Sequence, residues 1–283
     1  VARLADVRIE RHRDAALALR LERTAFRRGE REVAHRLQLD DGGHFVARDS
    51  RGEAIGAASC VVCPGGDLAW LGGMVVLPEA RRQGIGRRLL AAALEYADER
   101  GARTIGLDAT DVGRPLYESV GFRPFCVTTR WARQHAAEPY EAAHAVYPAS
   151  GAELMEIAAF DRSRFGANRA PWIAAVLADF PGRAFVAYDR ASGRLAGYAL
   201  GQGEYVGPLV ADDPGAARAL LHATESAGTP ATLDVLDANP HIERVLPASG
   251  YAPTAQRCLR MVRGPGLPGR VECQYAVAAW ALG

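Results

Sequence analysis

The sequence predicts an α/β (α+β) protein built from two copies of one sheet-and-helix unit, and three observations carry that prediction. Apolar runs short enough for strands, bounded by glycine, proline and acidic turns, alternate with amphipathic stretches at helical spacing along the 283 residues. Leu107-Asp108-Ala109-Thr110 is echoed by Leu236-Asp237-Ala238-Asn239, and in each copy the same interval leads to a glycine–aromatic pair, Gly121-Phe122 or Gly250-Tyr251. Phe45-Val46-Ala47-Arg48-Asp49 is echoed by Phe185-Val186-Ala187-Tyr188-Asp189, and the strand that follows carries Gly56 or Gly197. Echoes in the same order along both halves mark an internal repeat.

The elements follow in order. In the first copy residues 7–10 read as a strand and 13–38 as helical, with strands near 44–49, 53–63 and 68–77. A helix starts after Gly84, its apolar face spaced as Leu89, Leu90, Ala93, Leu94 and Ala97. A strand at 104–109, a helix at 113–120 stopped by Gly121, and a strand near 124–132 close the copy. Residues 134–143 form a polar linker. The second copy restarts at Ala145-Val146-Tyr147, with helices near 150–160 and 169–180 and strands near 184–189, 194–202 and 204–211. A helix at 214–227, a strand at 231–237, a helix at 239–248 and a strand at 255–263 complete it. The expected domains are 1–135 and 144–263. Residues 264–283 form a turn-rich tail whose apolar Tyr275, Val277 and Trp280 should pack back on the body.

Composition narrows the class. The length suits two domains of ordinary size, and 49% hydrophobic with 24% charged residues is the balance of a globular chain. A net charge of +1 offers no bulk attraction for nucleic acid or an anionic membrane, so neither is an expected partner. No apolar run is long enough to span a bilayer, and Val1-Ala2-Arg3-Leu4 does not read as a signal peptide. The five cysteines, an odd and sparse set, suit a reducing cytoplasm. Cys60 and Cys63 have Cys-x-x-Cys spacing, but residues three apart in a strand face opposite sides, so no metal site is expected.

The stretch from Val75 to Leu90 is the most informative about chemistry. An apolar strand ending in Met74, Val75 and Val76 turns at Pro78 into Arg81-Arg82-Gln83-Gly84-Ile85-Gly86-Arg87-Arg88, which opens directly into the helix. Gly84 and Gly86 let backbone N–H groups approach a ligand closely, and the helix dipole adds positive potential there. The four arginines add charge suited to phosphates, so a pyrophosphate-bearing cofactor is the natural occupant. A P-loop would end in Gly-Lys-Ser/Thr, and the chain has no lysine; a dinucleotide fingerprint would need a glycine where Leu89 stands.

Arg-x-x-Gly-x-Gly after Val-x-Pro closely resembles the acyl-CoA loop of the GNAT N-acyltransferases. Leu116-Tyr117-x-x-x-Gly121-Phe122 is similar to the GNAT segment whose tyrosine stands beside the cofactor sulfur. The resemblance implies two tandem GNAT folds, each a mixed, splayed central sheet flanked by helices. It implies acetyl-CoA as acyl donor, held by Met74, Val75, Val76, Arg81, Arg82, Gln83, Gly84, Ile85, Gly86, Arg87 and Thr110. Thr110 stands where these enzymes usually carry asparagine. Tyr117 would protonate the departing thiolate, since a phenol with a reference pKa of about 10 keeps its proton at neutral pH. The resemblance covers nearly the whole chain and is sharp between Val75 and Phe122.

The second copy departs where it matters. Ala211-Asp212-Asp213-Pro214-Gly215-Ala216 replaces the arginine–glycine loop, and its two carboxylates would repel a pyrophosphate while suiting a bare helix start. Leu246 replaces Tyr117, although Asn239 restores the usual asparagine. The copy reads as a degenerate GNAT domain whose work is structural, or is to wall and select the acceptor.

The implied reaction is direct attack of a primary amine, from a small-molecule acceptor, on the acetyl thioester, with strand N–H groups polarising its carbonyl. A non-catalytic acyl-CoA-binding or sensing protein is the alternative. Asp108 is the best candidate for the general base, set against a turn-fixing role suggested by Asp237. Glu79 and Asp67 read as turn residues, and Glu204 and Tyr205 are distant candidates. Asp161, Gly166, Asn168 and Arg169 either read an acceptor or cap a helix, with the cap the commoner use. Trp70, Trp131 and Trp172 read as core. The chain is expected to be a monomer, as a pseudo-dimer of domains, or a homodimer.

Overall fold

The computed structural model describes residues 6–26, 30–40, 42–139, 143–228, 232–279 and 282–283. The first repeat opens with β1 (Arg8–Arg11), followed by α1 (Ala15–Glu22) and α2 (Glu30–Leu39). Asp14 caps α1 by accepting the Leu17 N–H at 2.9 Å. The helical stretch expected over 13–38 is thus two helices. The Thr24 hydroxyl, which donates to the Leu21 carbonyl at 2.7 Å, helps close the first.

Then come β2 (His44–Arg48), β3 (Ala54–Val62) and β4 (Leu68–Val76), an antiparallel meander in which β1 pairs with β2. α3 (Ile85–Glu99) crosses over to β5 (Thr104–Ala109), which runs parallel to β4, as short αβ connections require. The apolar stripe of α3 is buried as its spacing predicts: Leu89, Leu90, Ala93 and Ala97 are inaccessible. Gly56 makes room for that helix, because a Cβ there would stand 3.1 Å from Leu89 Cδ1 and 2.8 Å from the Val75 carbonyl. α4 (Arg114–Glu118) and β6 (Arg123–Arg133) end the repeat.

The second repeat gives β7 (His144–Ala149), α5 (Leu154–Phe165), α6 (Ala170–Asp179), β8 (Ala184–Asp189), β9 (Leu195–Gln202) and β10 (Tyr205–Ala211). α7 (Pro214–Ser226), β11 (Thr232–Leu236), α8 (Ile242–Ala248) and β12 (Tyr251–Arg263) follow. The tail contributes β13 (Gln274–Ala276). Order and type agree with the sequence reading, and the ends move by a few residues.

The compact units, however, do not follow the repeats. Unit 1 comprises residues 1–123, 261–267 and 282; unit 2 comprises 124–260, 268–281 and 283. The compact units divide between Arg123 and Pro124, and each takes in chain from the other repeat. β6 shows why. It pairs antiparallel with β11 from Thr128↔Leu236 to Ala132↔Thr232, and Arg130 forms a two-pronged ion pair with buried Asp234 at 2.8 Å on both arms. Its Trp131 lies in the core of unit 2 with Leu220, Leu233, Val235 and Tyr275. The last turn of β12 is held in unit 1 by a close approach: a Cβ on Gly264, at φ +106°, would stand 2.3 Å from the Arg103 carbonyl.

Most of the tail, residues 268–281 and 283, is part of unit 2. β13 pairs antiparallel with β10, and Tyr275 and Val277 are buried; Trp280 lies outside the described residues.

Candidate active site

In unit 1 two irregularities in β4 prepare a site. Opposite β3, Gly72 faces Ser59 and Val75 faces Ala57, so Gly73 and Met74 together oppose Ala58: a β-bulge with Gly73 at φ +59°. Toward β5, the register runs only from Leu68↔Thr104 to Leu71↔Leu107. Beyond it the two strands part, leaving the end of β4 beside an open wedge. The Leu77 N–H donates to the Ile55 carbonyl of β3 at 2.9 Å. Strand alternation therefore turns the Val76 N–H and carbonyl the other way, toward the wedge. The Val76 carbonyl there accepts Arg81 Nε at 2.9 Å.

The loop between β4 and α3 is shaped for close backbone approach. Arg82 has φ +62°, the left-handed region that non-glycine residues rarely adopt, and Gly84 follows at φ +76° as the N-cap of α3. Gln83 folds back, its Nε2 on the Glu79 carbonyl at 3.3 Å. Among the described residues no side chain caps this helix and no acid stands in its first turn, so the amides of Ile85, Gly86 and Arg87 point outward as donors. Arg81, Arg82 and Arg87 are exposed around them. The fit to a pyrophosphate is good: outward-facing N–H groups, a helix dipole and exposed cations converge at one place.

Contacts around two glycines tie the other motif to this place. A Cβ on Gly86 would lie 3.5 Å from Leu116 and 3.7 Å from Val76, so the helix start, the end of β4 and α4 meet there. A Cβ on Gly113 would lie 3.1 Å from the Tyr117 ring and 3.6 Å from Thr110 Oγ1. Tyr117 is buried and set edge-on to Phe122, ring centres 6.0 Å apart. Thr110 is exposed, and its carbonyl accepts the Gly113 and Arg114 N–H groups, both at 3.0 Å, which starts α4. Asp108 is half-buried at the end of β5 beside the wedge. The structure thus joins the end of β4, the start of α3 and Leu116 of α4 at one place, with Thr110 and Tyr117 together at the start of α4 and Asp108 on the strand end that leads to it.

Other candidates are set apart. Asp67 precedes β4 and so lies about 30 Å from Val76 at 3.3 Å per strand residue. Glu79 is exposed in a 3-10 turn. Trp70 is core: Gly106 lies flat against it, with room for no side chain, since a Cβ would stand 2.2 Å from the ring. Trp131 and Trp172 are likewise buried. Among the described residues no cluster of three or more His, Cys, Asp or Glu could hold a metal ion. Burial pushes the Cys60 thiol far up.

The matching place in unit 2 is closed. Asp213 caps α7, its Oδ1 accepting the Gly215 N–H at 2.7 Å and the Ala216 N–H at 3.0 Å. Asp212 is bound two-pronged by Arg164, at 2.8 and 2.6 Å. β10 carries its own bulge at Gly207 and Pro208 and pairs with β11 only at Tyr205↔Thr232. β13 fills the wedge so left: it pairs with β10, and the Val277 N–H donates to the Asp234 carbonyl of β11 at 2.9 Å. Gly207 permits that approach, because a Cβ would stand 2.1 Å from the Val277 carbonyl, and the Tyr205 hydroxyl donates to the same oxygen at 3.0 Å. Asn239 is spent on this arrangement too, its Nδ2 on the Gln274 carbonyl at 3.0 Å. Asp237 accepts the Val127 N–H at 2.9 Å, and Leu246 is fully buried.

The polar interlude of the second repeat is internally satisfied. Asp161 and Arg169 form a buried two-pronged pair at 2.6 and 3.1 Å, and the Tyr198 hydroxyl donates to Asp161 at 2.7 Å. Asn168 accepts the Ala170 N–H at 3.0 Å in the turn that leads into α6, and Gly166, at φ +88°, ends α5.

Comparison with known proteins agrees with this geometry. Residues 13–122 match the description "Acetyltransferase (GNAT) family" and residues 157–276 match "Acetyltransferase (GNAT) domain". The chain belongs to the GNAT acetyltransferase family. Among curated proteins it is 32% identical over 112 residues to the uncharacterized N-acetyltransferase YitH of Bacillus subtilis, covering 40% of this chain and 37% of that protein. It is 31% identical over 83 residues to UPF0039 protein C11D3.02c of Schizosaccharomyces pombe, covering 29% and 55%. The matches thus span about half or less of these relatives. Among solved structures, a putative acetyltransferase from Pyrococcus horikoshii superposes with TM-score 0.82 at 22% identity, over 98% of this chain and 96% of that one. A tandem GNAT protein from the clavulanic acid biosynthesis pathway does so with TM-score 0.58 at 17% identity, over 92% and 99%. At such identities the likeness is one of fold, and that fold is the tandem GNAT arrangement of mixed sheets flanked by helices.

Sequence reading missed two features of this GNAT chain. One is the tail strand in the wedge of unit 2, signalled only by an apolar run after a glycine-rich connector. The other is a buried Glu22–Arg36 ion pair beneath the β4 bulge, which helix periodicity hides because both residues look like ordinary exposed charges.

Proposed function

We propose that the chain is an N-acetyltransferase that moves the acetyl group of acetyl-CoA to a primary amine on a small-molecule acceptor, and that it does so in the first GNAT repeat. The observation that carries this reading is the uncapped, glycine-opened start of α3 standing beside the parted end of β4, with Tyr117 next to it. When bound, acetyl-CoA supplies an activated acetyl thioester. The amides at 85–87 with Arg81, Arg82 and Arg87 hold its pyrophosphate, and Gly84 and Gly86 allow the approach. The Val76 N–H, turned into the wedge, donates to the thioester oxygen as negative charge grows there. Asp108 takes a proton from the incoming ammonium, and Tyr117 gives one to the leaving sulfur.

The second unit supports the reading from within the same chain. Its wedge is filled by an extended, amide-bearing segment, β13, paired with the bulged strand. The open wedge of unit 1 has the same form and suits the extended, amide-bearing pantetheine arm. The second repeat then serves stability or acceptor choice.

The net charge of +1, which offers no bulk attraction for nucleic acid or an anionic membrane, supports a small acceptor, and the reading places the enzyme in the cytoplasm as a monomer or homodimer. The test is a panel of amines with acetyl-CoA, read by thiol release. Transfer to at least one amine is expected. Tight acetyl-CoA binding with transfer to none would favour a non-catalytic acyl-CoA-binding protein.

A further inference from the structure

The last residue of α1, Glu22, and Arg36 of α2 are 2% and 1% exposed and form an ion pair through Glu22 Oε1 and Arg36 Nη2. The pair is seated on the β4 bulge. A Cβ on Gly73 would stand 2.5 Å from Glu22 Oε1 and 3.0 Å from Arg36 Nη2, so two charged heads lie directly on the bulge backbone. On the adjoining residue, the Ser59 hydroxyl donates to the Gly72 carbonyl at 2.9 Å.

As a source of stability this pair is poor. Burying two charges costs more than their attraction returns unless every polar atom is used. Arg36 Nε and Nη1 have no hydrogen-bond partner among the described residues. The neighbouring His44 adds no second cation, since burial and then Arg36 push its pKa down to about 4. What sets the pair apart is its seat on the bulge backbone at Gly73. A bulge inserts one residue and thereby reverses which side each later N–H faces. Without it Val76 would turn its N–H toward β3, and the wedge would face a different amide.

We propose that Glu22 and Arg36 are positioning residues: they clamp the Gly73–Met74 bulge and so aim the Val76 N–H at the reacting carbonyl. This rests on the acetyltransferase reading above. The experiment compares the wild type with Glu22→Leu/Arg36→Met, an apolar replacement of similar volume, and with Glu22→Gln, which keeps the shape. Steady-state acetyl transfer, melting temperature and amide hydrogen exchange of the 68–76 segment are measured on each.

In each variant that folds, kcat should fall roughly 10–10²-fold, the size expected for misplacement by about 1 Å. The KM for acetyl-CoA and the melting temperature of the double variant should hold, while exchange at 73–76 becomes faster. Loss of folding or a large drop in melting temperature in both variants would make the pair a stability element and overturn the inference. Wild-type kcat in either folded variant, with or without faster exchange, would overturn it as well. If the wild type itself transfers to no amine, the acetyltransferase reading fails, and exchange alone then tells whether the clamp exists.

Discussion

The Asp213 carboxylate accepts the Ala216 N–H at 3.0 Å, so the helix start in the second repeat is satisfied by its own chain. Among the described residues, the helix start at Gly84 in the first repeat has no such carboxylate. One fold therefore appears twice, once with its anion site open and once with a carboxylate already in it. The difference lies in a few loop residues, which is why function is argued from the site and not from the fold.

Tyr117→Phe keeps the buried ring against Phe122 and removes the proton donor. General-acid contributions are typically 10²–10⁴-fold, and the low end is expected because a thiol with a reference pKa of about 8.5 leaves readily. Steady-state kinetics should show kcat reduced with little change in KM for acetyl-CoA. A wild-type kcat would make Tyr117 a packing residue.

Tyr275 is fully buried in the core of unit 2, so Tyr275→Ala should cost roughly 3–5 kcal/mol, by analogy with other large aromatic truncations. Ending the chain after Pro268 removes Val277 as well and should lower the melting temperature further. An unchanged thermal melt in both would show that β13 contributes nothing to that core.

Acid should weaken unit 1 through His44. Burial, then Arg36, push its pKa down to about 4, against about 6.5 in the unfolded chain. Between those values the unfolded chain binds a proton that the folded chain refuses. The contribution is whole above pH 6.5 and is lost as pH falls toward 4, by up to about 3 kcal/mol. Urea unfolding of His44→Leu should show a shallower loss from pH 7 to 4 than the wild type; parallel profiles would contradict this.

Arg169→Met leaves Asp161 buried without its cation and should cost roughly 3–5 kcal/mol. Acetyl-CoA affinity, measured on the folded variant, should not change. A lost affinity with an intact melt would instead give Arg169 a ligand to hold.

Much of this was legible in the residues. Element order followed from period and punctuation, and the uncapped, glycine-opened start of α3 from Gly84 and Gly86, because local backbone freedom is written locally. The allotment of β6 and the end of β12 was not legible, since a strand's partner depends on long-range register that Trp131 or Gly264 alone does not reveal. The Glu22–Arg36 clamp was hidden for the same reason: sequence shows two charges on two helices, and only the fold brings them onto Gly73. Asp237, whose place at the strand end suggested a turn-fixing group, instead accepts the Val127 N–H of β6, a long-range contact that the sequence does not show.

Calorimetric titration of acetyl-CoA into the full chain, with Gly84→Asp alongside, tests the central claim most directly. One molecule per chain is expected for the wild type and none for Gly84→Asp, where a carboxylate enters the anion site at a backbone conformation suited to glycine. Two molecules per chain, or undiminished binding by Gly84→Asp, would contradict a single acetyl-CoA site at the start of α3.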